Sequence, residues 1–188
     1  MTAWDLPLSL EVGGRAYRVN ADYRDILDLM ARLNGPEEDE RTRLYIALAL
    51  FYEDMAQMPQ EDYGEAVRRM FWFINGGRDE APARPQPKVI DWEQDGSLIV
   101  ADVNRVAGCE VRSLQFCHWW TFLAWFQGIG EGQLSTVVSI REKRRRGKKL
   151  EAWEREFYQE HREMVDFKKR YTDEEREEQE RLKRRLGE

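Results

Sequence analysis

The stretch HWWTFLAWFQGIGEGQ, residues 118–133, decides which kind of fold this chain can adopt. On a helix its large apolar side chains fall on two faces, with Trp119, Leu123 and Phe126 on one and Phe122, Trp125 and Ile129 on the other. A helix that is apolar on all sides is typical of a buried core. We therefore predict a core helix here. A partner groove is the alternative, because Trp and Phe are enriched at interfaces.

Helical patterns also cover most of the chain before and after this stretch. Residues 21–33 carry an apolar stripe at helical spacing, and residues 44–51 are apolar nearly all round, which predicts a central helix. A third helix over residues 60–74 ends at Gly76 and Gly77, a common C-terminal stop. The fold class is therefore predicted to be mainly α.

One segment departs from the helical pattern. In LSLEVGGRAYRV, residues 8–19, Leu8, Leu10 and Val12 alternate with polar residues, and Gly13 and Gly14 follow them. Two glycines between alternating runs favour a tight two-residue turn. An N-terminal β-hairpin is predicted, packed on a compact multi-helix body because a lone hairpin is only marginally stable.

The composition changes sharply at Arg141, and this divides the chain into three parts. Residues 1–140 form the predicted body, which contains a proline-rich connector at residues 78–88. REKRRRGKK, residues 141–149, holds seven basic residues in nine and is predicted to be a basic linker. Residues 150–188 are rich in Glu, Arg and Lys with i,i+4 charge pairs, which predicts a long charged helix exposed to solvent.

Two groups of residues near the C-terminus are candidates for binding a partner. Leu150, Trp153, Phe157 and Met164 recur at spacings of three, four and seven residues, which is typical of a helical seam. Arg144, Arg145 and Arg146 of the basic linker are predicted to dock against acidic segments of the same partner.

Length and charge restrict the class of protein. A chain of 188 residues can bury a sizeable core without disulfides, and its two cysteines form no disulfide framework. The net charge of −6 disfavours a general nucleic-acid binder. The sequence contains no apolar run of membrane-spanning length and no signal-peptide pattern, so a cytoplasmic location is predicted.

No motif for catalysis or metal binding emerges. Asp91, Glu93 and Asp95 resemble the start of a calcium loop, but position 12 is Asp102 and the ninth position is apolar, so we prefer a capped helix start. Cys109, Cys117 and His118 do not have the spacing of a zinc site and lack a fourth ligand. We therefore expect a protein without enzymatic activity, cofactor or metal.

Five segments, in this order, resemble a known family. They are LYIALALFYED (44–54), MFWFINGG (70–77), PKVIDWEQD (87–95), HWWTFLAWFQGIGE (118–131) and SIREKRRRGKKL (139–150). Together they are similar to the bacteriophage gene-product-fifteen family, small proteins of long-tailed phages and prophages. The similarity extends from about residue 20 to residue 171.

The resemblance implies a role in tail morphogenesis. Genes of this family lie among tail genes near the tape-measure gene, a position similar to that of tail assembly chaperones. The expected partner is the tape-measure protein, with the tail-tube protein or a companion tail chaperone as further partners, in the cytoplasm of the bacterial host. Self-association is consistent with such a role. The alternatives are a permanent virion component, such as a tail or connector adaptor, and a nucleic-acid-associated phage regulator.

Overall fold

A computed structural model of the chain describes residues 5–34, 39–79 and 89–168, together with Arg181 and Arg184. The protein is mainly helical, with one N-terminal β-hairpin in the described part. The strands are β1 (Ser9–Val12) and β2 (Arg15–Arg18). The helices are α1 (Tyr23–Leu33), α2 (Glu40–Phe51), α3 (Tyr63–Ile74), α4 (Gly96–Ala107), α5 (Trp119–Gln127), α6 (Gln133–Arg145), α7 (Ala152–Glu160) and α8 (Arg162–Val165).

The hairpin confirms the prediction from the sequence. β1 and β2 pair antiparallel, with Leu10 opposite Tyr17. Gly13 and Gly14 form the turn with φ values of 57° and 73°, which glycine adopts without strain. Leu10 and Tyr17 are buried, because α3 packs against β1. The apolar face of the hairpin is thus buried by packing on the helical body.

Helix α5 packs on the core through one buried face, and Trp120, Leu123, Trp125 and Phe126 are partly buried against it, so the predicted core helix is buried on one side. Trp119 and Phe122 are each only 1% exposed. The indole N–H groups of Trp119 and Trp120 donate hydrogen bonds to the carbonyls of Ile74 and Phe73, both at 2.8 Å. The last carbonyls of a helix have no partner within it, so these tryptophans complete the C-terminal end of α3.

The C-terminal region differs from the prediction in two ways. The predicted basic linker 141–149 is wrong for residues 141–145, because α6 continues through Arg145. The predicted uninterrupted helix 150–188 is also wrong in its described part. Helix α7 ends at Glu160, α8 adds a single turn, and Asp166 is extended with ψ of 136°. Most of residues 169–188, and residues 80–88 of the predicted connector, lie outside the described residues.

Arg141 explains why the C-terminal segment returns to the body. Its guanidinium binds both carboxylate oxygens of Asp95 in a bidentate ion pair, at 2.6 and 2.9 Å, with side chains only 4% and 1% exposed. The same guanidinium donates to the carbonyls of Val165, Met164 and Val89. All five N–H groups of the arginine are therefore used. One side chain joins the segment before α4, helix α6 and the segment at α8.

Further polar contacts hold residues 150–168, which we call the C-terminal arm. Gln94 donates to the carbonyl of Asp166 at 2.8 Å and accepts from the amide of Lys168 at 3.0 Å. Glu154 is 1% exposed and binds the ammonium of Lys143 through both carboxylate oxygens, at 2.7 Å. Burial, the largest single influence, would raise the pKa of Glu154, but the hydrogen bonds from Lys143 and from the amide of Glu151, together with the charge of Lys143, outweigh it and the pKa lies below its usual range. The arm is therefore part of the folded body.

We expect Asp95→Ala to reduce the free energy of unfolding by about 3–5 kcal/mol, because it leaves the buried Arg141 charge without its partner. Urea titration followed by circular dichroism measures the change. Arg112→Met is the matched control, since it breaks the solvent-exposed pair with Glu110 and is expected to change stability little. An Asp95→Ala variant as stable as this control would contradict the assignment.

His118 joins the hairpin end of the body to α5. Its ring Nδ1 accepts a hydrogen bond from the amide of Trp120 at 3.0 Å, which fixes the neutral tautomer. The Nε2–H group then donates to the carbonyl of Pro7 at 3.0 Å. His118 is buried, and burial lowers its pKa below the usual 6.5, although the hydrogen bond to Pro7 opposes this shift.

A pH dependence follows from His118. Because its pKa is lower in the folded chain, the unfolded chain takes up a proton first as the pH falls. We expect the contribution of His118 to stability to be complete above about pH 6.5 and to be lost progressively as the pH falls from there toward the lowered folded-state pKa. His118→Asn keeps an N-cap acceptor and removes the titration. Unfolding free energies between about pH 7.5 and 5.5 should fall less steeply for this variant; parallel curves would contradict the assignment.

Candidate protein-binding surface

Helix α2 is apolar on nearly every side, but the structure does not bury it completely. Ala47, Leu48 and Phe51 are buried, whereas Tyr45 and Leu50 are 54% and 42% exposed. The prediction of a central helix therefore holds for only one of its faces. The other face is open to solvent at Tyr45 and Leu50.

A groove of about 940 Å³ lies between α2 and α3. Its apolar lining consists of Leu44, Tyr45, Leu48, Tyr63 and Val67. The rings of Tyr45 and Tyr63 approach each other across the two helices, with centroids 6.2 Å apart. Pockets for drug-sized ligands typically have volumes of about 300–1,000 Å³, so this groove has room for several apolar side chains of a partner.

A second, smaller groove of about 370 Å³ lies on the other side of α2. It is lined by residues of α1, α2 and α3, including Met30, Leu33, Phe71 and Ile74. Glu40 and Leu44 line both grooves. The N-terminal half of α2 is therefore a ridge with a concave apolar surface on each side, and we call this ridge with its two grooves the α2 surface.

Charged residues border the larger groove where α2 begins. Asp39 caps α2, since its carboxylate accepts hydrogen bonds from the amides of Arg41 and Thr42 and from the Thr42 hydroxyl. These bonds hold the pKa of Asp39 below its usual value, and the bond from the Thr42 hydroxyl contributes most to this lowering. Asp39, Glu40 and Arg41 line the groove, so two carboxylates and one guanidinium stand at this end of an apolar surface.

The four residues of the predicted seam do not form one free apolar stripe. Leu150, Phe157 and Met164 pack against the core and are partly buried. Trp153 is 56% exposed. The break between α7 and α8 separates Met164 from the helix that carries Trp153 and Phe157. Three of the four side chains are thus occupied with anchoring the C-terminal arm, and Trp153 is the one that stays largely accessible.

The three predicted arginines contact carboxylates of their own chain. Arg144 pairs with Asp166 and its guanidinium lies 4.1 Å from the ring centroid of Tyr158. Arg145 and Arg146 both bind the carboxylate of Glu142, at 2.6 and 2.5 Å. These contacts partly neutralise the basic cluster, and they leave fewer N–H donors for phosphates or for an acidic partner.

The residues weighed as metal ligands have other roles. Asp91 accepts hydrogen bonds from the amides of Glu93 and Gln94, and Asp95 binds Arg141, so this turn leads into α4 as expected from a capped helix start. Burial raises the pKa of the Cys117 thiol to about 11, which makes it a poor nucleophile at neutral pH. Within the described ranges, no group of three or more His, Cys, Asp or Glu side chains is arranged to hold a metal ion.

Inference from the sequence missed the α2 surface as a candidate site. Tyr45, Tyr63 and Val67 lie on helices that the apolar patterns detect, but the pattern of α2 does not distinguish its covered face from its open one. One signal was available. A helix that is apolar on all sides needs neighbours on all sides, and a body this small offers α2 few of them.

The architecture defines the class of protein: a small, mainly helical protein with a fused hairpin and a concave apolar surface between α2 and α3. In the part of the chain that the structure describes, no helix is both long enough and apolar enough to cross a bilayer.

The chain belongs to the Bacteriophage Gp15 protein family, whose model matches residues 4–167. The match includes all the described helices and the C-terminal arm up to Phe167. The chain is therefore a phage protein. Comparison with curated proteins and with solved structures found no match.

Gly64 offers a test of the groove geometry. It lies in the first turn of α3 and lines the larger groove, and an added Cβ would meet only the flexible end of Arg68, at 3.9 Å. We expect Gly64→Ala to raise the free energy of unfolding by up to about 1 kcal/mol, because alanine loses less backbone entropy in a helix. Urea titration measures this change. A clear loss of stability would mean that the space above Gly64 is not open.

Proposed function

We propose that this phage protein is a non-enzymatic tail assembly factor that binds the tape-measure protein in the host cytoplasm. It would keep that long helical polypeptide soluble until tail-tube subunits take its place. The link to tails rests on the resemblance to a family whose genes lie near the tape-measure gene. The observation that carries the proposed activity is the α2 surface, which remains apolar and uncovered in the folded chain.

The physical argument concerns uncovered apolar surface on both proteins. A coiled-coil-forming chain exposes apolar stripes while its final partners are absent, and such stripes promote aggregation. An amphipathic helix can lay such a stripe in an apolar groove between two helices. The groove between α2 and α3 is concave, lined by aliphatic and tyrosine side chains, and open along the exposed Tyr45. We therefore propose that the tape-measure protein, the client, binds in this groove and not at Leu150, Trp153, Phe157 and Met164.

The charges at the groove narrow the choice of client helix. Asp39 and Glu40 stand at the end where α2 begins, so the favoured client segment has a Lys or Arg beside its apolar stripe at that end. Arg41 beside them favours a carboxylate one turn further along the client. Asp39, Glu40 and Arg41 are exposed to solvent, and contacts with exposed charges are weak enough to be displaced when the tail tube assembles.

Co-expression with the tape-measure protein encoded by the same phage tests the proposal. We expect the tape-measure protein to be more soluble in the presence of this chain and to co-purify with it. Unchanged solubility together with no co-purification would overturn the proposal. Recovery of the chain in stoichiometric amounts from purified virions, measured by mass spectrometry, would instead favour the permanent tail component.

A pair of glycine variants tests the site of binding. Gly64→Leu should project a side chain into the groove and reduce co-purification of the tape-measure protein at least tenfold, with the fold intact by circular dichroism. Gly96→Leu is the matched control, because Gly96 begins α4 and an added Cβ meets nothing within 4 Å. Equal binding by the two variants would show that the client does not use this groove.

A further inference from the structure

We propose that the free edge of β1 is a homodimerisation site, at which two copies of this chain join their hairpins into one four-stranded antiparallel sheet. The site is distinct from the α2 surface and does not depend on the proposed function. The partner is a second copy of the same chain, and the argument rests on the backbone groups that β1 presents.

The hydrogen-bond pattern of the hairpin determines which groups point outward. Residues opposite each other in an antiparallel pair alternate between bonded and non-bonded positions. The amide of Val19 donates to the carbonyl of Leu8 at 3.0 Å, which makes Leu8 a bonded position, and Leu10 and Val12 follow it in the register. Ser9 and Glu11 are therefore the non-bonded positions, and their N–H and C=O groups point away from β2.

These outward groups are open to a partner. Ser9 and Glu11 are exposed, and among the described residues no backbone or side-chain contact outside the hairpin involves their amides or carbonyls. The other edge of the hairpin is different. Residue Tyr52 forms a bridge with Val19, and the amide of Glu53 donates to the carbonyl of Arg18 at 3.1 Å. The β2 edge is therefore covered at Arg18 and Val19 but not at Ala16, whereas the outward groups of β1 are open at both Ser9 and Glu11.

One register joins two copies of β1 without conflict. If Leu10 lies opposite Leu10 of the second copy, Ser9 pairs with Glu11 and Glu11 with Ser9, and four backbone hydrogen bonds form. Centring the pair on Glu11 would place two carboxylates opposite each other, which is unfavourable. Centring it on Ser9 would pair Glu11 with Pro7, which has no N–H group and whose carbonyl already accepts from His118.

Apolar side chains beside the edge favour the same pairing. Leu6 and Leu8, which lie just before β1, are 51% and 54% exposed. In the register centred on Leu10, Leu8 lies opposite Val12 of the second copy and becomes covered.

The geometry also limits the assembly to two copies. The contact is the same on both chains and is related by a twofold axis, so it closes on itself. Once the β1 edges have paired, the outer edges are the β2 edges, whose Arg18 end is bordered by residues 51–53 and whose remaining outward position is Ala16. Pro7 ends the pairing at the other side of each strand. This arrangement avoids the continuing strand addition that leads to fibres.

Sedimentation velocity of the full chain over a concentration series tests the proposal, together with hydrogen exchange of the backbone amides. We expect a monomer–dimer equilibrium in which the Ser9 and Glu11 amides exchange at least tenfold more slowly at high concentration, while the Ala16 amide is unaffected. Ser9→Pro removes one outward N–H group and should weaken the dimer at least tenfold. Ala16→Pro is the matched control, because Ala16 occupies a non-bonded position on β2 and its outward N–H group is not used.

The outcomes separate clearly. Concentration-dependent protection of Ser9 and Glu11, with a dimer weakened by Ser9→Pro and not by Ala16→Pro, supports the homodimer. A monomer at every concentration with unprotected amides overturns it, as does a dimer that both proline variants weaken equally or that neither affects. Protection of these amides only on addition of a strand-forming peptide would assign the edge to a different partner and would also overturn the proposal.

Discussion

The buried ion pair between Arg141 and Asp95 is the contact on which the arrangement of the C-terminal third depends. Removing two charges from water is expensive, and the attraction between them compensates only when geometry and hydrogen bonding are complete. Both conditions are met, because the pair is bidentate and every guanidinium N–H group has an acceptor. The pair brings the start of α4, the end of α6 and α8 to one point. It thereby places Val165 in the core, where it is 1% exposed.

The docked arm changes which part of the molecule is available to other proteins. Leu150, Phe157 and Met164 contribute to the core cluster, so their apolar surface stabilises the protein's own fold. Among the described residues, exposed apolar side chains lie on α2 and just before β1, and also at Val106, Phe116, Trp153 and Phe167. Trp119 and Trp120 pack within the body, where their N–H groups complete α3.

The sequence predicts local structure well where one residue type has one physical meaning. Gly13 and Gly14 can hardly be other than a turn between alternating strands, and the tryptophan-rich helix α5 has too much apolar surface to stay outside the core. Prediction failed where the same residue type serves two environments. Arg141 stands first among seven basic residues in nine, and nothing local distinguishes this buried arginine from its exposed neighbours, because its acceptors come from residues 23–52 positions away. The open groove beside α2 escaped prediction for a similar reason, since it depends on how many neighbours the fold supplies.

The groups that Arg141 binds determine which sequence changes the C-terminal arm can accept among related phages. Two of its bonds reach the main-chain carbonyls of Met164 and Val165, and Gln94 likewise binds main-chain groups of Asp166 and Lys168. Any amino acid supplies such groups, so substitutions along this part of the arm leave the anchor intact. An insertion or deletion between Gly147 and Met164 would instead move the carbonyls out of reach. Substitutions in this part of the arm are thus tolerated, whereas insertions and deletions are not.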